Sequence, residues 1–446
     1  MITFKYLIKK VQLKDYIVKK SIRAKELEDY SNLPVYGVSN VNGICITGNN
    51  PGEKKEEYIL IEEDDFAYNP YRINVGSIGL TPKGMKGLVS PAYVVFRTNE
   101  ELLPELLWSF LKSKEGLDQI IKFARGTVRK ALRFEDLCKI EMLIPPKIKQ
   151  KRILKNLQFQ NSKIEDLKSE TIYQLKLLKN LKQQILQDAV QGKLVKQNPK
   201  DEPASVLLEK IKEKKKQFIL DKKILKGKIQ DPKSKVNIDF ILPSNWIWTN
   251  LDEISLFITD GTHQTPTYTQ SGRIFLSAQN IKPFKFIPEF HKFVSEESYL
   301  EYIKNKKPEF GDILIARVGA GIGQAAIIDQ KINFAFYVSL ALLKPLKDHI
   351  FNKYLLLIIN SPFGNEYSKK NVSSKGGSAG NFNLGHIRSF PVPLPPLAEQ
   401  FRIVQKVEEI LMKFNELEES IKQGQSYTEQ LMQSVLRDAL KPKEEG

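Results

Sequence analysis

Two matching stretches of the chain combine cations, small residues and amide side chains. They cover residues 125–133 and 373–383, and each ends about ten residues before a Pro-rich segment. Small residues let a backbone approach a ligand closely, while Arg, Lys, Ser and Asn donate hydrogen bonds to phosphates and base edges. A plain surface loop is the alternative, but both stretches keep a cation beside a glycine. We expect phosphate contacts from four cations: Arg125, Arg129, Lys130 and Lys375.

A polar turn at residues 260–264 carries His263, which could in principle act as a general base. The sequence has only four histidines, and none has a Ser, Cys or carboxylate partner at a recognisable motif spacing. The turn is therefore interpreted either as a loop that offers side chains to a ligand or as an ordinary surface turn. Weaker candidates for contacts with base edges are His263, Gln264, Asn381 and Asn383.

Other patterns that could indicate catalysis are incomplete. The glycines at 319, 321 and 323 precede a β-rich run instead of a helix and lack a following Gly-Lys-Ser/Thr, so they predict a tight turn between strands. Residues 68–71 approach an amino-methyltransferase signature but lack its second proline, and no glycine-rich turn for S-adenosylmethionine precedes them. We find no His-x-x-x-His pair and no acidic triad typical of a nuclease. The expectation is no catalysis, no metal and no cofactor bound by this chain.

The charge of the chain is concentrated in its centre. The net charge is +17, and residues 147–235 hold 24 Lys and Arg against 10 Asp and Glu. Such an excess favours a polyanion such as DNA or RNA, although a solvated Lys-rich helix and linker would look the same. The hydrophobic fraction of 41% excludes a wholly disordered chain.

Cysteine usage and hydropathy predict a soluble, cytoplasmic protein. The two cysteines, Cys45 and Cys138, form no CxxC or Cys/His zinc pattern and argue against a disulfide-built secreted protein. The first residues alternate apolar side chains with Lys and Asp, unlike a signal peptide. The longest apolar stretch, residues 354–359, is far too short to span a bilayer.

An internal repeat organises the chain. Residues 144–190 align without a gap on residues 394–440, and twelve of these 47 positions are identical. Both copies begin with Pro-Pro followed at fixed spacing by Gln, Arg and Ile, which chance similarity between two coiled coils would not supply. Upstream the likeness is weaker, for example between residues 74–79 and 317–323. Two copies of one unit therefore make up the chain.

Each copy contains one long predicted helix. Neither helix contains proline, so each can run for about 40 residues, or ~60 Å. Apolar residues recur at alternating steps of four and three, which is typical of a coiled-coil seam. A helix with so narrow an apolar stripe needs a partner, and we expect the two to pair antiparallel. The predicted seam and partner-docking residues are Ile153, Leu157, Ile164, Leu167, Leu178, Leu181, Ile185, Ile403, Val407, Ile410, Phe414, Leu417, Ile421, Leu431 and Val435.

The Pro-rich segments and the repeat predict four consecutive parts. They are a first globular domain (1–143), a central helical part (144–236), a second globular domain (237–393) and a C-terminal helical part (394–446). The central part should hold a long helix over 150–190, a second helix over 204–218 and a basic tether. The predicted class is α+β: two α/β domains with small twisted sheets, separated by two long helices in an antiparallel coiled coil, with a pseudo-two-fold internal repeat.

Several stretches resemble the specificity subunit of type I restriction-modification systems, and together they extend over the whole chain. The motif Pro-Pro-Leu-x-Glu-Gln-x-x-Ile is quite specific, and its partial recurrence 250 residues earlier strengthens the resemblance. The stretches are LPPLAEQFRIVQKVEEIL (394–411), IPPKIKQKRIL (144–154), LKQQILQDAVQGKL (181–194), LPSNWIWTNLDEI (242–254) and GDILIARVGAGIG (311–323).

The resemblance implies two target-recognition domains, each reading one half of a bipartite sequence in double-stranded DNA. It also implies a helix pair that sets the spacer between the half-sites and docks two methyltransferase subunits, with restriction and translocation subunits on that core and no membrane partner. Those partners, and not this chain, would use S-adenosylmethionine, ATP and Mg²⁺. The first copy departs from the family pattern at residues 147–149, where the second has Leu-Ala-Glu, and it lacks a counterpart of Trp246 and Trp248.

Three other interpretations remain open on the sequence. The chain could be the DNA-reading part of another methylation or phage-defence complex. A self-sufficient DNA methyltransferase would need motifs that we do not find. A coiled-coil scaffold without nucleic acid would explain the helices but would give the two diverged globular segments no role.

Overall fold

The computed structural model describes residues 10–40, 43–46, 52–126, 130–221, 240–372 and 380–439. The chain divides into two compact units, one made of Met1–Tyr173 with Ile421–Gly446 and the other of Gln174–Ser420. Each unit therefore contains one globular segment and a part of both long helices. The four-part division expected from the sequence follows the repeat and stays a prediction.

The first unit opens with ten strands and three short helices among the described residues, followed by a long helix that continues into the second unit. The strands are β1 (Lys10–Gln12), β2 (Ile17–Lys20), β3 (Val35–Ser39), β4 (Gly43–Ile46), β5 (Ile59–Ile61), β6 (Asp65–Tyr68), β7 (Ile78–Leu80), β8 (Gly87–Val89), β9 (Val94–Thr98) and β10 (Glu141–Leu143). The helices are α1 (Pro104–Lys112), α2 (Lys114–Phe123), α3 (Phe134–Leu137) and α4 (Lys147–Val190).

Two four-stranded sheets form the body of the first unit. One is antiparallel in the order β2-β9-β6-β7, and the other has the order β4-β3-β8-β5 with β3 and β8 parallel. A short ladder of β1 and β10 lies at the beginning of α4. The rings of Phe66 and Phe96 stack at 4.7 Å between centroids in the main core, where the apolar faces of α1 and α2 cover the antiparallel sheet.

The second unit repeats this plan. Its strands are β11 (Ile247–Asn250), β12 (Ser255–Asp260), β13 (Arg273–Leu276), β14 (Ile281–Lys282), β15 (Lys285–Phe286), β16 (Lys292–Val294), β17 (Ile313–Ala316), β18 (Ala325–Ile327), β19 (Phe334–Phe336), β20 (Leu340–Pro345) and β21 (Pro391–Leu394). Its helices are α5 (Ala204–Leu220), α6 (Leu251–Ile254), α7 (Glu296–Ile303), α8 (Asn352–Asn360), α9 (Pro362–Lys370), α10 (Leu384–Arg388) and α11 (Leu397–Ala439), the last of which continues into the first unit.

The sheets of the second unit resemble those of the first, except that its mixed sheet has three strands instead of four. An antiparallel sheet has the order β12-β20-β17-β18, a second sheet has the order β16-β13-β19 with β13 and β19 parallel, and β11 pairs with β21. The small hairpin β14-β15 is added. The two stretches whose likeness is weak in sequence, 74–79 and 317–323, both fall at the connection between the last two strands of the antiparallel sheet. The glycines at 319, 321 and 323 lie in that turn between strands, as predicted.

A serine joins the two short helices in each unit. Ser113 Oγ donates to the carbonyl of Phe110 at 2.6 Å and accepts from the amide of Gly116 at 3.2 Å. In the second unit Ser361 makes the same two bonds at 2.7 and 3.1 Å. A Cβ on Gly116 would lie 2.1 Å from that carbonyl oxygen, so only glycine fits this corner.

The shared glutamine of the repeat ties each long helix to its globular segment. Gln150 is fully buried, accepts from the amide of Leu103 at 2.8 Å, and donates to the carbonyls of Pro145 and Glu101 at 2.8 and 2.6 Å. Gln400 is also fully buried and accepts from the amide of Phe351 at 2.9 Å. Because these bonds satisfy backbone groups just before α1 and α8, the motif fixes the angle at which the helix leaves the domain.

A buried aspartate is repeated at the start of β6 and β17. Asp65 pairs with Lys20 at 2.6 Å and accepts from the amide of Glu62 at 2.8 Å. Asp312 pairs with Lys344 at 2.8 Å and accepts from the amide three residues earlier at 2.9 Å. Both carboxylates thus stabilise the turn that opens a central strand.

The helical parts follow the sequence closely. The first long helix begins at Lys147, three residues before the predicted start, and the second ends at Ala439. The helix predicted over 204–218 is α5, which buries Leu207, Leu208 and Ile211 in the core of the second unit. The predicted basic tether lies largely outside the described residues.

Candidate nucleic-acid interface

A hairpin pairing of the backbone, between Arg125 and Ala131, carries two of the predicted cations of the first domain. The backbone of Arg125 exchanges two hydrogen bonds with that of Ala131, at 2.9 and 2.8 Å. The Arg125 side chain is 72% exposed and reaches Asp136 at 3.0 Å. Lys130 is exposed, and Arg129 lies outside the described residues. Two of the predicted phosphate ligands therefore share one exposed loop.

The hairpin rests on the loop that follows β6. The amide of Leu132 donates to the carbonyl of Pro70 at 3.0 Å, and Tyr68 Oη donates to the carbonyl of Leu132 at 3.1 Å. Tyr68 is fully buried, and burial raises the pKa of its phenol far above the usual value. Tyr68 therefore acts as a fixed neutral donor. The first residue of the methyltransferase-like motif at 68–71 thus has a structural role, which is to hold the backbone at Leu132.

The loop at residues 69–77 is itself tightly held. Asn69 Oδ1 accepts from the amide of Tyr71 at 3.0 Å, and the buried side chain of Ile73 anchors the middle of the loop. Gly76 has a φ of +85°, and its carbonyl accepts from Lys112 Nζ at 2.7 Å. Burial lowers the pKa of that ammonium. No contact role was predicted for this loop from the sequence.

In the second domain a buried arginine connects three loops. Arg317 pairs with Asp260 at the end of β12, and it donates to the carbonyls of Val338 at 3.0 Å and Phe382 at 3.1 Å. The side chains of Arg317 and Asp260 are 7% and 13% exposed. A charged group at this depth is stable only with such partners. The polar turn, the turn before β20 and the segment before α10 are thereby held together.

The polar turn projects His263 from this support. His263 Nε2 lies 3.2 Å from Asp260 Oδ2, and the imidazole is 71% exposed. Gln264 is exposed beside it, and Lys306 Nζ donates to the carbonyl of Gly261 at 2.9 Å. Two predicted base-edge candidates therefore lie on one fixed, exposed turn, and Asp260 orients the histidine.

The remaining predicted residues fall on the segment before α10. Asn381 is exposed and forms an isolated bridge with Val318. Asn383 Oδ1 caps α10 by accepting from the amide of His386 at 2.9 Å. The amide oxygen of Asn383 is thus engaged in a helix cap, which is the usual role of Asn at that position, and its contact with a base edge stays a prediction. Lys375 lies outside the described residues.

The glycine turn of the second domain offers backbone to solvent. Gly319 has a φ of +89°, and a Cβ added there would meet no atom within 4 Å. By contrast, a Cβ on Gly323 would lie 2.4 Å from Ser368. Gly319 and Ala320 are exposed, so a ligand could approach the chain closely at this turn.

Within the described ranges, no three His, Cys, Asp or Glu side chains come together as a metal-binding group. In the same part of the chain, no helix combines the length and apolar character needed to cross a membrane.

The long helices pack antiparallel in the second unit. Lys182 of α4 pairs with Glu418 of α11 at 2.7 Å, while Gln197, beyond the end of α4, donates to Glu399 near the start of α11 at 2.7 Å. Residue numbers therefore rise along α4 in the direction in which they fall along α11. Burial raises the pKa of Glu399, the glutamate of the Pro-Pro-Leu-x-Glu-Gln motif.

The seam follows a heptad but differs from the predicted one at four leucines. Leu157, Ile164 and Leu178 are buried on α4, as is Val407 on α11. A second line of half-buried positions on α4 lies four residues after the first line, at 168, 175 and 182. At the last of these positions Lys182 covers the seam with its aliphatic stem, while its ammonium pairs with Glu418. Four predicted seam leucines, two on α4 and two on α11, are instead about half exposed: Leu167 (49%), Leu181 (51%), Leu417 (49%) and Leu431 (47%).

The other predicted seam residues lie on the same two faces. Those that are half-buried are Ile153, Ile185, Ile410, Phe414, Ile421 and Val435, and Ile403 is fully buried.

Comparison with known proteins gives one consistent family. A family model described as the type I restriction modification DNA specificity domain matches residues 8–177 and again residues 257–424. The chain is 28% identical over 267 residues to the EcoEI specificity subunit of Escherichia coli and 30% identical over 270 residues to the EcoAI specificity subunit of the same species. Each match covers 58% of this chain and 44% of the relative, so the chain spans less than half the length of these relatives.

Two solved structures share the fold. One comes from work on complex assembly and conformational transition of the type I R-M system, and it matches with a TM-score of 0.62 and 18% identity over 97% of both chains. The other is the HsdS subunit of Thermoanaerobacter tengcongensis, with a TM-score of 0.55 and 18% identity over 97% of this chain and 96% of that one.

Proposed function

The chain belongs to the type I restriction-modification DNA specificity family, and on that premise we propose that it is the DNA-reading subunit of a type I complex. Each globular domain reads one half of a bipartite target in double-stranded DNA. The observation that carries this proposal is the repeat itself: the same four-stranded antiparallel sheet, serine corner and buried glutamine recur. The exposed loops differ between the copies, as expected of two readers with different targets, and the second copy also has the added hairpin β14-β15 and one strand fewer in its mixed sheet.

The electrostatics of the loops support a nucleic-acid ligand. Arg72, on the loop at residues 69–77, and Lys130, on the adjoining hairpin, are exposed and form no ion pair with any described residue. Arg125 lies on the same hairpin as Lys130 and is largely exposed. Cations that are free on a rigid loop can replace the counterions of a phosphate backbone. His263 and Gln264 of the second domain bring hydrogen-bonding groups that can reach base edges.

We propose that the chain itself performs no chemistry. Methyl transfer, ATP-driven translocation and cleavage would belong to partner subunits that use S-adenosylmethionine, ATP and Mg²⁺. Incubation of the purified chain with labelled S-adenosylmethionine and duplex DNA tests this: we expect no label in the DNA, and label transferred by the chain free of partner protein would contradict the proposal.

The helix pair supplies a docking surface for two methyltransferase subunits. Consider one residue of each helix in an antiparallel pair, the two facing each other across the seam. The residue immediately before each of them lies on the same side of the pair, because a step of one residue rotates by about 100° in opposite senses on the two helices. Leu181 and Leu417 precede the facing pair Lys182 and Glu418, so they expose apolar area on one side of the second unit. The repeat places Leu167 and Leu431 in the first unit, which gives two equivalent sites for two copies of a partner.

A charge placed on this surface should prevent docking. We expect Leu181→Asp combined with Leu417→Asp to abolish co-purification with a methyltransferase subunit, while Val206→Asp on α5, also at an exposed apolar residue, leaves it intact. If the double variant still retains the subunit, docking involves another surface.

The helices also set the spacer between half-sites in this proposal. Removing one heptad from each helix keeps the seam in register and shortens each by ~10 Å. The unread spacer should then shorten by at most about three base pairs at ~3.4 Å each. Mapping of modified DNA sites measures the spacer, and an active variant with the original spacer would contradict a ruler function for the helices.

The direct test of DNA reading is selection from a pool of random duplexes at two salt concentrations. The full chain should enrich two short conserved blocks separated by a fixed unread gap. Binding without enrichment of any sequence, or no binding, would contradict the proposed function.

A further inference from the structure

The loop between β6 and β7, residues 69–77, exposes apolar side chains beside the cations of the first domain. Tyr71 is 60% exposed and Val75 is 56% exposed, although the loop that carries them is fixed. Keeping large apolar groups exposed to water costs free energy, and a partner that covers them removes that cost. Of the residues assigned above to DNA contact, Arg72 alone lies on this loop, and the two apolar side chains have no role assigned so far.

The loop is built to hold its shape without a ligand. Asn69 accepts the amide of Tyr71, the buried Ile73 fills the core below, and Lys112 Nζ donates to the carbonyl of Gly76 at 2.7 Å. Since the backbone is already ordered, a contact made by Tyr71 would cost little conformational entropy. Such preorganisation is typical of a recognition element.

The surroundings of the loop are basic and adjoin the cation hairpin. The carbonyl of Pro70 accepts from the amide of Leu132 at 3.0 Å, so the loop and the hairpin bearing Arg125 and Lys130 form one surface. Arg72, next to Tyr71, is exposed and makes no ion pair with a described residue. A surface with phosphate-binding cations at its edge and apolar groups within it fits a DNA groove better than a protein partner.

We infer that residues 69–77 form the base-reading element of the first domain, with Tyr71 and Val75 contacting the methyl groups of thymine in the major groove. This inference rests on the proposed function and names residues for it. A thymine methyl is recognised by apolar contact alone, so a tyrosine ring and a valine suit it, whereas the other base edges require hydrogen-bond donors or acceptors.

The equivalent loop of the second domain lacks such groups. Its exposed positions are Gly319 and Ala320, which present no large side chain. The inference therefore concerns one half-site only, and this asymmetry can be measured in a single experiment.

The test uses the full chain carrying Tyr71→Ala, Tyr71→Phe or Val75→Ser, with selection from random duplexes. Tyr71→Ala should reduce the preference for thymine at one or two positions of one half-site by about fivefold or more, the effect of one mismatched base pair. Tyr71→Phe should keep that preference, since the ring makes the contact. The other half-site should not change in any variant.

Val18→Ala is the matched control. Val18 is 63% exposed, but it lies on β2, at the opposite edge of the sheet from β7, and pairs with Arg97 away from the loop. It should leave every preference unchanged, and all four variants should retain the thermal unfolding of the parent.

Three results would overturn the inference. They are an unchanged preference in Tyr71→Ala, equal weakening on all sequences, and a thymine preference lost in Tyr71→Phe as much as in Tyr71→Ala. If the parent chain itself enriches no sequence, the proposed function fails first, and this inference fails with it.

Discussion

The two globular domains hold their loops with different chemistry on one scaffold. At the end of β6 the neutral phenol of Tyr68 donates to the carbonyl of Leu132. After β17 the charged Arg317 donates to the equivalent carbonyl of Phe382 and also pairs with Asp260. The first solution leaves a loop with a projecting tyrosine, and the second supports a turn that projects His263. The same backbone plan therefore carries two dissimilar surfaces.

The scaffold tolerates this difference because its repeated side chains bond to backbone atoms. Gln150, Gln400, Ser113 and Ser361 all accept from amides and donate to carbonyls. Backbone groups are present whatever residues the loops contain, so these contacts survive when the loops diverge. A fold held in this way suits the reading of different sequences.

The comparison is tested most strongly at Arg317. Arg317→Met removes one partner of a buried pair and leaves the Asp260 carboxylate with only the exposed His263 as a described ion-pair partner, so it should lower the free energy of unfolding by about 3 kcal/mol. It should also abolish preference at the second half-site alone. Urea unfolding measures the first effect and duplex selection the second. Arg72→Met, which changes an exposed arginine, is the control for stability, and equal unfolding of both variants would contradict a supporting role for Arg317.

The shared scaffold predicts similar effects in both copies. Gln150→Ala and Gln400→Ala each leave buried backbone groups without partners and should each lower the free energy of unfolding by about 2 kcal/mol. Urea unfolding of the full chain measures both. Gln158→Ala changes an exposed glutamine of α4 and should have an effect below about 0.5 kcal/mol. A large loss in one copy with none in the other would show that the glutamines are not equivalent.

The smallest effect concerns the cations of the loops. Arg125→Ala or Lys130→Ala should weaken DNA binding on all sequences and reduce the slope of log affinity against log salt by about one unit. The same is expected of Arg129→Ala and Lys375→Ala from the sequence. Lys353→Ala removes a cation paired with Glu408 and serves as the control. An unchanged slope in all four variants would remove these loops from the interface.

Much of the architecture could be predicted because the repeat signals it directly. Pro-Pro followed by Gln marks where each long helix begins, and heptad spacing gives its face. The second line of seam residues was harder to predict, because the positions three and four residues after a buried seam residue both lie beside the same contact. The sequence offers leucine at 181 and lysine at 182, and a long lysine stem with Glu418 opposite occupies the seam instead.

The contact surfaces were harder to predict because they depend on residues distant in sequence. Nothing local indicates that Arg317 meets Asp260 across 57 positions, or that Pro70 supports Leu132. The motif at residues 68–71 suggested chemistry, whereas Tyr68 is a buried donor to a loop. The buried aspartates at 65 and 312 gave a weak signal, a carboxylate three residues after Glu, that becomes evident only when the two copies are superposed in the fold.

Exchange of one domain tests the central claim most directly. Residues 237–393 would be replaced by the corresponding segment of another family member whose recognition sequence is known, and the sequence bound by the full chain would be determined by duplex selection. Our account predicts that one half-site changes to that of the donor, while the other half-site and the gap stay the same. A simultaneous change of both half-sites would contradict independent reading by two domains.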